Sequence, residues 1–144
     1  MREILIIIIF VLFPYNLKCE SYSTSCYSTA SSVIDLPCEL NPQTLEKVIN
    51  YYNLSNSDIV IAQAILETDN FKSRICIEYN NIFGLYDTSN HRYYRFTSWQ
   101  ECVRFYKIKI QSRYKGGDYL TFLERINYAE ATDYTKRLKE LIMG

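Results

Sequence analysis

Sixteen basic side chains balance sixteen acidic ones in this 144-residue chain, which carries no net charge at neutral pH. With no surplus of either sign, nothing draws in nucleic acid or an anionic membrane surface, and a neutral polymer or small molecule is the expected partner. Histidine occurs once, as His91, and there is no Cys-x-x-Cys pair, so neither a zinc site nor another cofactor is expected. The one long apolar run, Ile4 to Phe13, stops at Pro14. It is too short to cross a hydrocarbon layer of roughly 30 Å as a helix. With Met1-Arg2-Glu3 ahead of it, the run reads as a signal peptide over residues 1–20. No small-x-small triplet precedes Cys19, and Leu17-Lys18 does not suit a lipoprotein signal. The expectation is an exported protein, at the cell envelope or secreted, with no transmembrane anchor in the mature chain and a monomeric state.

With 48% hydrophobic and 22% charged residues, the composition is that of one ordinary globular domain. Fourteen Tyr and seven Phe stand beside a single Trp. Most of these rings are expected in the core, although aromatic faces also stack on the apolar faces of sugars. Export permits disulfides. With Cys19 at the processing boundary, Cys26, Cys38, Cys76 and Cys102 remain, and Cys26–Cys38 and Cys76–Cys102 are one reading. Free buried thiols are equally consistent with the sequence.

Residues 21–39 form a Ser/Tyr-rich lead-in without helical periodicity, and the domain is expected over residues 40–144. Asn41-Pro42 is a helix start, with Leu45, Val48, Ile49 and Tyr52 on one face of a helix over residues 42–52. Ser57 or Asp58 is the expected cap of a second helix that ends near Asp69-Asn70. Periodicity fails between Ile75 and Phe96, where Tyr93 to Phe96 has the composition of a short strand. Ser98-Trp-Gln-Glu101 is a capping box. Asp118 caps a short helix, and Thr132 or Asp133 a last one with Tyr134, Leu138, Leu141 and Ile142 inward. The fold class is therefore mainly α, with five or six helices and a short, reduced β hairpin or loop lobe.

The second helix is apolar at nearly every position from Ile59 to Leu66, which predicts a central helix, yet it carries Gln63 and then Glu67. These two share a face, being four residues apart. An unpaired carboxylate is too costly to bury, so that face is expected to open on a cleft. Partial burial and the negative end of the helix dipole both favour the protonated form of Glu67. A carboxylic acid that stays protonated near neutral pH is what glycosidic-bond cleavage requires of its general acid. The plainer alternative is a surface glutamate where its helix emerges.

The order Ala62-Gln-Ala-Ile-Leu-Glu67-Thr-Asp-Asn-Phe-Lys-Ser73, Asn80-Asn-Ile-Phe-Gly-Leu85, Tyr94-Arg-Phe-Thr-Ser-Trp99, Arg113-Tyr114 and Tyr128-Ala129 ahead of Asp133-Tyr134 resembles the bacterial glucosaminidase family. The resemblance runs from about Leu40 to the C-terminus, and its most specific parts are the Ala-Gln-x-x-Leu-Glu helix end and the Asn-x-Phe-Gly turn. It implies a lysozyme-like helical fold and cleavage of the glycan strands of peptidoglycan. It also implies Glu67 as catalytic acid, Tyr128 as a tyrosine facing it, and Asn81, Phe83 and Gly84 as the turn lining the cleft beside it, while Gln63 and Tyr94 are further substrate-binding candidates. Gly84 suits a positive φ or a close approach to ligand, and Asn81 suits an acetamido group. Many relatives carry a larger β lobe that supplies a second acid. Here only Tyr86 to Arg92 fills that interval, and Asp87 is its sole carboxylate, a turn former or a possible second carboxylate. Asp69 stands where relatives often have glycine. A lytic transglycosylase on the same fold and a non-catalytic glycan-binding protein are the alternatives to a hydrolase.

Overall fold

The computed structural model describes residues 36–143. The expected signal peptide, most of the lead-in, Cys19 and Cys26 lie outside the described residues. Six α-helices and a two-stranded sheet make up the described chain, the mainly helical, lysozyme-like architecture expected with its β part reduced to a hairpin.

Helix α1, Pro42–Tyr51, starts as its sequence predicts. The Asn41 side chain accepts from the Thr44 N–H at 2.9 Å, and the Thr44 hydroxyl accepts in return from the Asn41 N–H at 2.9 Å. Two free backbone donors are thereby satisfied before a face of Leu45, Val48 and Ile49 is fully buried. Helix α2, Ser57–Glu67, departs from expectation at its start: neither Ser57 nor Asp58 caps it, and Asn56 precedes it in the left-handed conformation without a side-chain cap. It is also less enclosed than its sequence suggested. Val60, Ala62, Gln63 and Ala64 are buried, while Ile59, Ile61, Ile65 and Leu66 are half-buried.

After α2 the chain turns through three consecutive residues with positive φ, Asp69 at 48°, Asn70 at 55° and Phe71 at 64°. Asp and Asn tolerate this region, whereas an aromatic side chain resists it. The fully buried Thr68 holds the turn, donating its hydroxyl to the Ala64 carbonyl and accepting the Phe71 N–H at 2.8 Å. Helix α3, Arg74–Tyr79, was not foreseen, because six residues are too few to show periodicity; Ser73 caps it. Strands β1, Tyr86–Asp87, and β2, Arg92–Tyr93, pair antiparallel with Tyr86 opposite Tyr93.

Helix α4, Trp99–Lys109, has Ser98 as its cap, accepting from the Glu101 N–H at 3.2 Å. The reciprocal bond of the expected box goes one residue further back, from the Thr97 N–H to Glu101 at 2.8 Å. A 3-10 turn, Gln111–Arg113, follows, then α5, Tyr119–Arg125, capped by Asp118 as expected. Helix α6, Tyr134–Met143, buries Tyr134 and Leu138, but Leu141 and Ile142 are exposed rather than inward. The last part of the lead-in docks on α4: the Trp99 indole donates to the Cys38 carbonyl at 3.0 Å, and Gln100 donates to the Pro37 carbonyl at 2.6 Å.

Helices α2 and α6 run antiparallel. Glu67 at the end of α2 meets Tyr134 at the start of α6. Asp58 and Ile59 at the other end of α2 line a cavity of about 290 Å³ with Lys139, Ile142 and Met143. Of the two readings of Cys76 and Cys102, the bridge is absent: both are free, buried thiols on α3 and α4. Cys38 is disulfide-bonded, and its expected partner Cys26 lies outside the described residues.

Candidate active site

Three elements bring the site together: the end of α2, the turn between α3 and β1, and the start of α6. The last residue of α2 is Glu67, and its Oε1 accepts the Tyr134 hydroxyl at 2.9 Å. Its other oxygen faces Gly84, where an added Cβ would lie 3.0 Å from Oε2. Gly84 has φ +59°, so the position requires glycine twice over, for its backbone and for the space that Glu67 occupies.

Glu67 is half-buried as a residue, so solvent reaches it, yet enough protein surrounds its carboxyl to strip most of its hydration. That desolvation pushes its pKa up to about 8, against the smaller opposing effects of the Tyr134 hydrogen bond and the charge of Arg137. Among the described residues, Tyr134 and Arg137 are the side chains that act on its titration. Near neutral pH the group therefore holds a proton while a neighbouring hydroxyl stands ready to stabilise the anion left when the proton departs.

The other expected site residues divide. Gln63 is fully buried and faces tyrosine hydroxyls rather than a cleft: its amide donates to Tyr134 at 3.2 Å and accepts from Tyr106 at 2.7 Å. Asn81 is also fully buried. Its amide hydrogens go to the Leu85 and Tyr94 carbonyls at 2.8 and 3.0 Å, and its oxygen takes the Leu85 N–H at 2.9 Å. With its hydrogen-bonding capacity engaged, Asn81 shapes the turn that presents Gly84 and has nothing left for an acetamido group. Phe83 is fully buried, its ring 4.3 Å from that of Tyr106, so it is a core residue. The Tyr94 ring packs on Phe105 at 4.8 Å. Tyr128 lies near enough to the acid that, after burial and Tyr134, the charge of Glu67 raises its pKa, but its hydroxyl donates to the Phe83 carbonyl at 3.3 Å and the tyrosine bonded to Glu67 is Tyr134. Asp87 is a turn former, accepting the Ser89 N–H at 3.0 Å and the Asn90 amide at 2.6 Å. The Asn90 side chain, above all, keeps its pKa below the ordinary carboxylate range.

One further residue belongs beside Glu67. Tyr93 lies close enough that the negative charge of Glu67, after burial itself, raises its pKa. Its ring meets that of Tyr86 edge to face at 5.1 Å. Strand alternation explains why Tyr93, and not its neighbour Tyr94, is turned toward the acid. The hairpin thus brings the half-buried Tyr93 ring near the carboxyl, with the half-buried Tyr86 ring against it.

A mainly helical fold holding a protonated carboxyl beside a glycine turn and an aromatic pair is equipped for acid-catalysed cleavage of a glycan. Residues 43–144 match the family model for Glucosaminidase, described as mannosyl-glycoprotein endo-beta-N-acetylglucosaminidase. The chain belongs to the glucosaminidase family and is a glycan-cleaving hydrolase in its general class. No curated protein and no solved structure gives a match.

Proposed function

We propose that this protein is an exported peptidoglycan hydrolase of the endo-β-N-acetylglucosaminidase type, cleaving strands that contain N-acetylglucosamine with Glu67 as general acid. The observation that carries this reading is the Glu67 carboxyl, desolvated, bonded to Tyr134 through Oε1 and set against Gly84 through Oε2, within a chain of the glucosaminidase family. Tyr86 and Tyr93 supply apolar faces for a sugar ring. The proton of Glu67 passes to the glycosidic oxygen as the bond from that oxygen to the anomeric carbon breaks.

With Asp87 engaged at the hairpin tip, the reading takes the nucleophile from the substrate. In the hydrolytic route the carbonyl oxygen of the substrate's 2-acetamido group attacks the anomeric carbon and forms a cyclic oxazolinium. The Glu67 carboxylate then takes a proton from a water that opens this ring, which restores the acid and leaves a reducing sugar. The same single acid also serves a transglycosylase, in which the 6-hydroxyl of the sugar attacks instead and a 1,6-anhydro end results.

Mass spectrometry of the soluble fragments released from purified peptidoglycan tests the reading. Fragments that end in reducing N-acetylglucosamine are expected. A 1,6-anhydro end would assign the transglycosylase route, and no release of fragments would leave glycan binding alone.

A further inference from the structure

A continuous line of buried hydrogen bonds leads away from Glu67 to the opposite end of α2. The Tyr134 hydroxyl is bonded to Glu67 Oε1 at 2.9 Å and to Gln63 Nε2 at 3.2 Å. Gln63 Oε1 is bonded to the Tyr106 hydroxyl at 2.7 Å, which lies 2.9 Å from the Tyr119 hydroxyl. Tyr119 in turn is 3.1 Å from Gln111 Nε2. Gln111 is anchored on the backbone of Ser55, accepting its N–H at 2.8 Å and donating to its carbonyl at 2.6 Å. Each side chain between Ser55 and Glu67 in this line is buried.

The direction of every hydrogen follows from the anchored end. A backbone N–H only donates and a backbone carbonyl only accepts, so Ser55 fixes which end of the Gln111 amide is which. Gln111 Nε2 then donates to Tyr119, whose own hydrogen has Tyr106 as its acceptor. The reverse order would strand the Tyr119 hydrogen in the core, which costs about 1–3 kcal/mol. Tyr106 therefore donates to Gln63, which must present its carbonyl oxygen there and its nitrogen to Tyr134. With Gln63 donating to it, Tyr134 points its hydrogen at Glu67 Oε1. Were the Glu67 proton on Oε1 instead, the Tyr134 oxygen would receive two hydrogens while its own had nowhere to go.

We propose that this line is a one-way positioning relay that holds the exchangeable proton of Glu67 on Oε2, the oxygen beside Gly84, so that the scissile glycosidic oxygen is met from the hairpin side. Tyr134 and Gln63, with Tyr106, Tyr119 and Gln111 behind them, are positioning residues that act through Glu67. The catalytic consequence rests on Glu67 being the general acid, whereas the proton's location does not. Because each member donates toward Glu67, the relay also stabilises the carboxylate that forms once the proton has been given up.

The test is infrared difference spectroscopy, between low and high pH, of the full chain carrying ¹³C-labelled glutamate. The Glu67 band is assigned by its loss in Glu67→Gln, and its amplitude against pH gives the titration. In the wild-type protein the neutral carboxyl should show a C=O stretch lowered by the Tyr134 hydrogen bond. Tyr134→Phe should move that stretch to higher wavenumber and raise the titration midpoint by about 1 pH unit. Tyr106→Phe, which leaves Tyr134 in place but releases the Gln63 amide to turn over, should move both in the same direction by a smaller step. The alkaline limb of turnover should follow. A merely structural role would lower thermal stability and leave band and midpoint where they were, so an unmoved band and midpoint in natively folded Tyr106→Phe overturn the proposal. Should that variant fail to fold, Tyr119→Phe applies the same criterion one link further out. If Glu67→Gln kept full turnover, the reading of Glu67 as acid would fall while the relay was still judged by its titration.

Discussion

Gly84 shows how one residue can carry both a backbone and a site requirement. Its φ of +59° costs an L-residue roughly 1–2 kcal/mol, and its missing Cβ leaves the space taken by Glu67 Oε2. Gly84→Ala should therefore lower the melting temperature and reduce turnover together, because the new methyl displaces the carboxyl as well as straining the turn. A variant with wild-type melting temperature and rate would show that neither constraint acts. Asp87 makes the opposite case. Its bonds to Ser89 and Asn90 serve the hairpin tip, so Asp87→Asn should keep near-normal glycan cleavage, measured by fragment release. A loss comparable to that of Glu67→Gln would make it the second carboxylate after all. At this scale the sequence was readable where one residue's own chemistry decides, as in the raised pKa of Glu67 and the positive φ of Gly84. It was not readable where a distant partner decides. Tyr134 stands 67 positions from Glu67 and, like Tyr128, is one aromatic among many until the fold chooses between them.

Among the elements, the junction that follows α2 controls the site most directly. Thr68 closes it with two hydrogen bonds from a fully buried side chain, next to the acid and ahead of three residues with positive φ. Thr68→Val keeps the shape but leaves the Phe71 N–H without its acceptor, and should destabilise the protein by about 1–3 kcal/mol in chemical denaturation. No loss of stability would mean that water or a shifted backbone replaces the hydroxyl. The longer helices were legible because caps and apolar faces recur along them, as at Asn41 and Ser98. The short α3 and the start of α2 were not. The first has too few residues for a period, and the second is set by a left-handed Asn56 that a cap-based reading passes over. Gln63 was placed on the correct face, but its polar surroundings proved to be tyrosine hydroxyls from α4 and α6 instead of a cleft.

For the whole molecule, a glutamate held at a pKa of about 8 couples stability to pH. The folded state keeps a proton that the unfolded chain, with an ordinary pKa near 4.5, has already released. Stability should therefore fall as pH rises from about 4.5 to 8, by on the order of a few kcal/mol, and level off above that window. Glu67→Gln should flatten this slope in melting curves collected across the range, and an unchanged slope would place its origin elsewhere. Turnover should persist through neutral pH and decline above about pH 8 as the acid loses its proton. The account's central claim is that Glu67 delivers that proton, and the most direct test is the rate at which purified Glu67→Gln releases soluble fragments from peptidoglycan. Glutamine keeps the shape and can still accept the Tyr134 hydroxyl but has no carboxylic proton, so a fall on the order of 10² to 10⁴ with the fold intact is predicted, whereas release at the wild-type rate would contradict it.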